Sequence, residues 1–126
     1  MPRKLLKHMT KLEKYSLIKK DMNLNELKDK AIHFSDTTFG KGRKASAPAY
    51  HLVEEVEELL DALKDNEDVD TEFADCFLLL IDAFRMHYGD DVNMQKLIDI
   101  SSHKLDICYT REWGEPDKNG VVKHIK

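Results

Sequence analysis

The feature that most constrains this chain is an apolar run from Phe73 to Phe84, in which ten of twelve residues are apolar and only Asp75 and Asp82 are not. A helix that is apolar on all sides is expected to be buried nearly all round. A buried aspartate then requires a base, a proton or a metal ion, because an ionised carboxylate is costly to remove from water. The run is too short to cross a bilayer, which needs roughly 20 residues. We therefore expect no membrane span, and an acidic site inside the protein.

Apolar residues recur at helical spacing along the rest of the chain, and the alternation typical of strands is almost absent, which predicts an all-α fold. Asn23 and Glu26 resemble a capping box, Asp70 is the predicted N-cap of the apolar helix, and Gly89 is its predicted end. The C-terminal tail carries an Asn-Gly turn signal. We expect a bundle of about four to five helices with a short irregular or hairpin tail, the helices spanning about 4–20, 23–35, 48–64, 70–88 and 93–111.

A chain of 126 residues with 41% hydrophobic content supports one core. Residues 1–22 carry seven bases and two acids and lack the features of a secretory signal, so we interpret them as a basic N-terminal extension with helical spacing. Residues 23–126 form the predicted domain. Cys76 and Cys108 make neither a CxxC pair nor a disulfide framework, which favours the cytoplasm.

Acidic residues are concentrated between Glu54 and Asp75, where eleven acids stand against a single base, Lys64. Such a block repels phosphate, so we expect no direct binding of nucleic acid. Bound divalent cations would reverse this preference and allow a phosphate-bearing ligand to approach.

Within this block, Glu55 and Glu58 share one side of a helix, and Glu72 and Asp75 share one side of the next. Spacing alone also fits a solvated acidic face. Two helices joined by a short turn would nevertheless bring the two pairs together. Oxygen-only ligands favour Mg²⁺ or Mn²⁺ over zinc or copper. A di-iron site is disfavoured because its Glu-x-x-His motif is missing: Phe84 stands three residues before the histidine that follows.

The spaced motifs Glu54-Glu55-x-x-Glu58 and Glu72-x-x-Asp75, thirteen residues apart, resemble the signature of the MazG-like all-α nucleoside triphosphate pyrophosphohydrolases. A wider pattern, over roughly residues 37–125, is most similar to the dATP/dGTP diphosphohydrolase branch. It comprises Thr38-Phe39-Gly40, His51-Leu52, Phe73-Ala74-Asp75, Asp82-Ala83, Lys104-Leu105, Arg111, Trp113, Asp117 to Gly120 and His124.

This resemblance implies hydrolysis of a deoxynucleoside triphosphate, dATP or dGTP, to the monophosphate and pyrophosphate. It implies Mg²⁺, with Mn²⁺ as the alternative, held by Glu55, Glu58, Glu72 and Asp75. One of these carboxylates, such as Glu55, or else Asp82 would accept the proton of the attacking water. Two alternatives remain: a pyrimidine-directed dUTP or dCTP pyrophosphatase of the same superfamily, and a non-catalytic helical oligomerisation or regulatory module.

Lys104, Cys108 and Arg111 are spaced along one face of the last predicted helix, and both cations fall within its apolar arc. Cations there either flank the core or bind phosphates, and beside a triphosphate site we expect the second. Related enzymes carry asparagine where Cys108 stands. Trp113 is either a core residue or a platform for base stacking, and His51, one turn before Glu55, is either a surface residue or a neighbour of the site. An apolar helical hairpin also predicts a homodimer or homotetramer.

Overall fold

A computed structural model describes residues 21–126 of the protein. These residues form four α-helices, and the prediction of an all-α fold is confirmed. The extension's predicted helix, residues 4–20, lies outside the described residues. In none of these four helices are length and hydropathy together sufficient for a membrane span. The helices are α1 (Leu24–Phe39), α2 (Ser46–Asp65), α3 (Val69–Tyr88) and α4 (Gln95–Tyr109).

The start of α1 is the capping box expected from the sequence. The Asn23 side chain accepts a hydrogen bond from the Glu26 backbone amide at 2.9 Å, and the Glu26 carboxylate accepts one from the Asn23 amide at 3.3 Å. The helix continues four residues beyond the predicted end, to Phe39. It stops at Gly40, whose φ of +96° lies in a region that glycine adopts without strain.

A tight turn joins α2 to α3, and the two helices pack along each other. Asn66 and Asp68 both adopt left-handed backbone conformations in this turn, with φ of 55° and 56°. Asp68 therefore occupies the N-cap position of α3, and Asp70, the predicted cap, lies in the first turn. The predicted end at Gly89 is confirmed.

The described residues form two compact units, 21–92 and 93–126. In the first, α3 packs against both α1 and α2. Its buried residues are mostly polar: Glu72, Asp75, Asp82 and Arg85 accompany the fully buried Ile81. Four of the five buried residues of α3 are therefore ionisable and need polar or charged partners.

The expectation that α3 is buried nearly all round is wrong for the part of the chain that the structure describes. Phe73, Phe77 and Leu80 are 53%, 43% and 45% exposed. On α2, exposed apolar residues follow helical spacing as well: Val53, Val56, Leu60 and Leu63. The α2–α3 hairpin therefore has apolar surface that remains exposed among the described residues 21–126.

The second unit consists of α4 and the C-terminal tail. The tail contains the expected turn, in which the Asp117 carboxylate accepts hydrogen bonds from the amides of Asn119 and Val121 at 2.8 and 3.0 Å. Trp113 and His124 form an isolated antiparallel bridge. Within residues 93–126 the tail is thus an irregular, hairpin-like turn without regular strands.

Candidate active site

Three carboxylates converge where α2 and α3 pack together. Glu55 and Glu58 lie one turn apart on α2, and Glu72 lies in the first turn of α3; one oxygen from each is within 4.8 Å of the other two. Oxygens that bind one Mg²⁺ at about 2.1 Å lie at most about 4.2 Å apart. The three carboxylates are thus close to the spacing that a shared cation requires.

Burial increases across this cluster from one helix to the other. Glu58 is exposed, Glu55 is half-buried and Glu72 is only 1% exposed. Asp75, one turn after Glu72, is buried and close enough for its charge to raise the pKa of Glu55, although it is not one of the three convergent residues. The sequence predicted that four acids converge. In the structure three of them, Glu55, Glu58 and Glu72, come together, and Asp75 lies one helical turn after Glu72.

Buried oxygen atoms in the cluster make no hydrogen bond. They are Oε2 of Glu55, Oε2 of Glu72 and Oδ1 of Asp75; Glu72 and Asp75 make other interactions. A buried carboxylate oxygen that accepts no hydrogen bond is costly, and a hard divalent cation would compensate it. The donor set fits Mg²⁺ or Mn²⁺.

The pKa of Glu55 is raised to about 7 from its ordinary value near 4.5. The main cause is burial, followed by a hydrogen bond and charge repulsion from Glu58, and then by the charges of Asp75 and Glu72. Without a cation, Glu55 therefore holds a proton at neutral pH much of the time. A metal ion that displaced this proton would relieve the repulsion within the cluster.

His51 lies beside the cluster, one turn before Glu55. Its Nε2 is 3.3 Å from Oε1 of Glu55, and its ring meets that of Phe39 edge to face, with centroids 6.5 Å apart. The sequence left open whether His51 is a surface residue or a neighbour of the site, and these contacts favour the second interpretation. The imidazole can orient the Glu55 carboxylate by hydrogen bonding.

Asp82, the alternative proton acceptor, lies in a network of a different kind. Its Oδ1 accepts a hydrogen bond from Nε of Arg85 at 2.8 Å and forms an ion pair with Nη2 of Arg85 at 2.7 Å. Its Oδ2 accepts one from the Ser35 hydroxyl at 2.7 Å and one from Nη2 of Arg43 at 3.3 Å. Both oxygens are thus engaged by side chains of α1, α3 and the α1–α2 loop, which favours a structural role.

Arg85 extends this network to two further acids. It contacts Asp36 at 3.2 Å and Asp90 at 3.1 Å. Burial lowers the pKa of Arg85, but hydrogen bonds to Asp82, Asp90 and Asp36 raise it by more, so the guanidinium stays charged. Sequence reasoning missed this network, whose only local signal is the i, i+3 spacing of Asp82 and Arg85.

A cavity of about 330 Å³ adjoins the carboxylate cluster. Its wall is mainly apolar, from α1 and α3, and Glu55, Asp75 and Asp82 border it. A mostly apolar wall with a few convergent polar groups is typical of small-molecule sites. The sequence signal that could have indicated it is the helical spacing of Leu27, Ala31 and Phe34 on α1, which line the cavity together with Phe39 of α1 and Leu78 and Leu79 of α3.

The remaining predicted site residues belong to the second unit. Lys104 is exposed there, whereas Cys108 and Arg111 are half-buried. Trp113 is 46% exposed; its Nε1 donates a hydrogen bond to the Cys108 carbonyl oxygen at 3.1 Å, and its ring meets His124 edge to face. Trp113 is therefore not a buried core residue of this unit, and substrate binding by these four residues stays a prediction.

Comparison with known proteins finds a matching protein family and a similar solved structure. A family model described as dATP/dGTP pyrophosphohydrolase matches residues 27–126. The fold is similar to that of a MazG-like pyrophosphohydrolase from cyanophage S-2L, solved bound to dGDP and three catalytic Mn²⁺ ions per active site. That match has a TM-score of 0.64 and 22% identity, and it covers 86% of this chain and 98% of the phage chain. No curated protein matches the sequence significantly.

Proposed function

The chain belongs to the dATP/dGTP pyrophosphohydrolase family, and on that basis we propose that its carboxylate cluster holds the divalent cations for cleavage of a purine deoxynucleoside triphosphate. The protein is a nucleotide pyrophosphohydrolase; the cation and the site residues are our assignment. The observation that carries this assignment is the convergence of Glu55, Glu58 and Glu72 within 4.8 Å, with a buried Glu55 oxygen that accepts no hydrogen bond. The dGDP and Mn²⁺ bound by the cyanophage protein support the choice of ligand class.

Glu55, Glu58 and Glu72 are the proposed direct ligands of Mg²⁺ or Mn²⁺, with Asp75 completing the acidic set. A bound cation of this kind polarises phosphoryl oxygens and lowers the pKa of a bound water towards neutrality. These carboxylates would hold the cation beside the cavity, which Glu55 and Asp75 border and whose wall is mainly apolar.

Glu55 is the better candidate for accepting the proton of the attacking water. One of its oxygens, Oε2, accepts no hydrogen bond, and Glu55 borders the cavity. Asp82 is less suited because Ser35, Arg43 and Arg85 occupy both of its oxygens. We therefore assign Asp82 to the support of the cavity wall.

Lys104 and Arg111 are the proposed phosphate-binding cations, with Cys108 and Trp113 beside them in the sequence. The support is their spacing along α4 and the following turn, and their inclusion in the matched family region. Guanidinium and ammonium groups form strong, charge-assisted hydrogen bonds with phosphates.

A homodimer, or a homotetramer built from it, is the proposed assembly. The support is the exposed apolar rows of α2 and α3, represented by Leu60 and Phe77, which a second copy of the hairpin would cover. Light scattering should give at least twice the monomer mass, and Leu60→Glu should reduce it. The two free cysteines favour the cytoplasm as the location.

Product analysis tests the reaction. The protein is incubated with each deoxynucleoside triphosphate and saturating Mg²⁺, and the phosphorus products are resolved by NMR. We expect a deoxynucleoside monophosphate and pyrophosphate, formed fastest from dATP or dGTP. Faster cleavage of dUTP or dCTP would favour the pyrimidine alternative, and orthophosphate with a diphosphate product would contradict the proposal. Absence of any product would favour the non-catalytic module.

A further inference from the structure

Arg43 is anchored in the loop between α1 and α2 by three separate contacts. Its Nη2 donates to the Ser35 hydroxyl and to Oδ2 of Asp82, and its Nε donates to the Gly40 carbonyl oxygen at 3.1 Å. The positive φ of Gly40 turns the chain after α1 so that the loop folds back on the helix. Arg43 therefore fixes its own loop to α1 and to the middle of α3.

The same guanidinium lies over the ring of Phe39, 5.2 Å from its centroid. Phe39 also meets Phe34 edge to face at 5.7 Å and His51 at 6.5 Å. All three of these rings line the cavity, and Phe39 is 45% exposed. A large aromatic side chain this exposed has few neighbours to hold it, so the cation–π contact contributes a substantial part of its restraint.

A continuous row of contacts thus runs along the cavity from the loop to the carboxylates. It passes from Arg43 to Phe39, from Phe39 to His51, and from His51 Nε2 to Oε1 of Glu55 at 3.3 Å. Flat aromatic rings beside an apolar cavity suit a planar heterocycle, and the acidic end of the row suits the cation-bound phosphates.

We infer that Arg43 is a positioning residue for nucleoside binding: it holds the Phe39 wall of a cavity that takes the nucleoside half of the substrate. This inference rests on the proposed function and extends it to the substrate's other half. The Nε and Nη2 of Arg43 already donate to Gly40, Ser35 and Asp82, so contacts within the protein set the orientation of the guanidinium, as a positioning role requires. Lysine cannot replace it, since a single ammonium group does not stack on a ring and bond in several directions at once.

The test compares Arg43→Met with Lys41→Met, which removes an exposed charge from the same loop. Loss of one cation–π restraint is expected to raise KM for the preferred deoxynucleotide about tenfold in Arg43→Met. Its kcat should stay within about twofold of wild type, since uniform binding is lost and the cation-binding carboxylates are untouched. Lys41→Met should match wild type in both. An unchanged KM, or a fall in kcat alone, would overturn the inference.

Two inhibitors separate positioning of the nucleoside from phosphate contact. Arg43→Met should weaken inhibition by the deoxynucleoside monophosphate about tenfold and leave inhibition by inorganic tripolyphosphate unchanged. Equal loss for both would identify Arg43 as a phosphate ligand and refute a positioning role. Phe39→Leu, at an exposed position, should reproduce the same split, and it carries the test if Arg43→Met does not fold.

Calorimetry in EDTA distinguishes failure of this inference from failure of the proposed function. Binding of the deoxynucleoside monophosphate to the metal-free protein, weakened about tenfold by Arg43→Met, supports the inference even if no pyrophosphate is released. If wild type releases pyrophosphate but Arg43→Met and Phe39→Leu bind the monophosphate as wild type does, the proposed function stands and this inference is wrong.

Discussion

The two halves of α3 bury acidic side chains in opposite ways. Near its start, Glu72 and Asp75 lie among other carboxylates, and the pKa of the neighbouring Glu55 rises to about 7. Two turns later, Asp82 is equally buried, yet both of its oxygens accept hydrogen bonds, mostly from the guanidinium groups of Arg85 and Arg43. In the first half, the carboxylates therefore repel one another, and a bound cation would reduce this repulsion. In the second half, the arginines already neutralise the charge of Asp82. Burial alone does not tell a binding site from a structural ion pair; the neighbouring charges do.

The largest difference between the halves should appear in activity. Glu72→Gln removes the most buried proposed ligand while preserving its shape. Changes to groups that merely support metal ligands already cost roughly 10–100-fold, so we expect a loss of at least about 100-fold in kcat/KM. Glu67→Gln, an exposed change in the nearby turn, is the control and should behave as wild type. Retention of full activity by Glu72→Gln would remove the distinction between the two halves.

The same chemical change, aspartate to asparagine, should have different effects on stability at Asp82 and at Asp75. Asp82→Asn breaks a buried, doubly paired carboxylate, and the free energy of unfolding should fall by about 3 kcal/mol or more. Asp75→Asn removes charge from a repulsive cluster, so in EDTA it should leave stability equal to wild type or higher. Denaturant melts of both variants measure this. A sharp loss for Asp75→Asn would show that Asp75 is a structural hydrogen-bonding residue, and its place in the acidic set would be lost.

These contrasting halves were only partly predictable from the sequence. The spacing of Glu55, Glu58 and Glu72 on two helices joined by a short turn sufficed to bring them together, because helical geometry and a tight turn are local properties. The partners of Asp82 were not predictable: Ser35 and Arg85 lie 50 residues apart and meet only through the packing of α1 on α3. The cavity was missed for the same reason, since its walls come from three helices.

A cation should stabilise the acidic half specifically. Mg²⁺ that binds the folded cluster and not the unfolded chain adds about 2.7 kcal/mol at a concentration 100 times its Kd. The melting temperature in excess Mg²⁺ should therefore exceed that in EDTA for wild type and for the control Glu67→Gln, and the gain should shrink in Glu55→Gln. An equal gain in Glu55→Gln would place the cation elsewhere.

The smallest expected effect is the pH dependence of the metal-free protein. The pKa of Glu55 is raised in the folded state to about 7, from an ordinary value near 4.5. Below pH 4.5 the carboxyl is protonated in both folded and unfolded chains and contributes no difference. Between about 4.5 and 7 the folded chain retains a proton that the unfolded chain has released, so the free energy of unfolding falls as pH rises. Above pH 7 the loss is complete.

Denaturant melts in EDTA at pH 5, 6, 7 and 8 measure this slope, with Glu55→Gln as the variant that cannot titrate. We expect wild type to lose stability relative to Glu55→Gln from pH 5 to 7 and the difference to level off by pH 8. His51 contacts Glu55, so His51→Gln is measured beside it to separate the contribution of this contact. Excess Mg²⁺ should bind the ionised cluster and flatten the wild-type slope above pH 6, because the cation replaces the proton that Glu55 otherwise keeps. Parallel pH profiles for wild type and Glu55→Gln would mean that Glu55 is not strained by its neighbours, and the acidic half of α3 would then resemble the neutralised half.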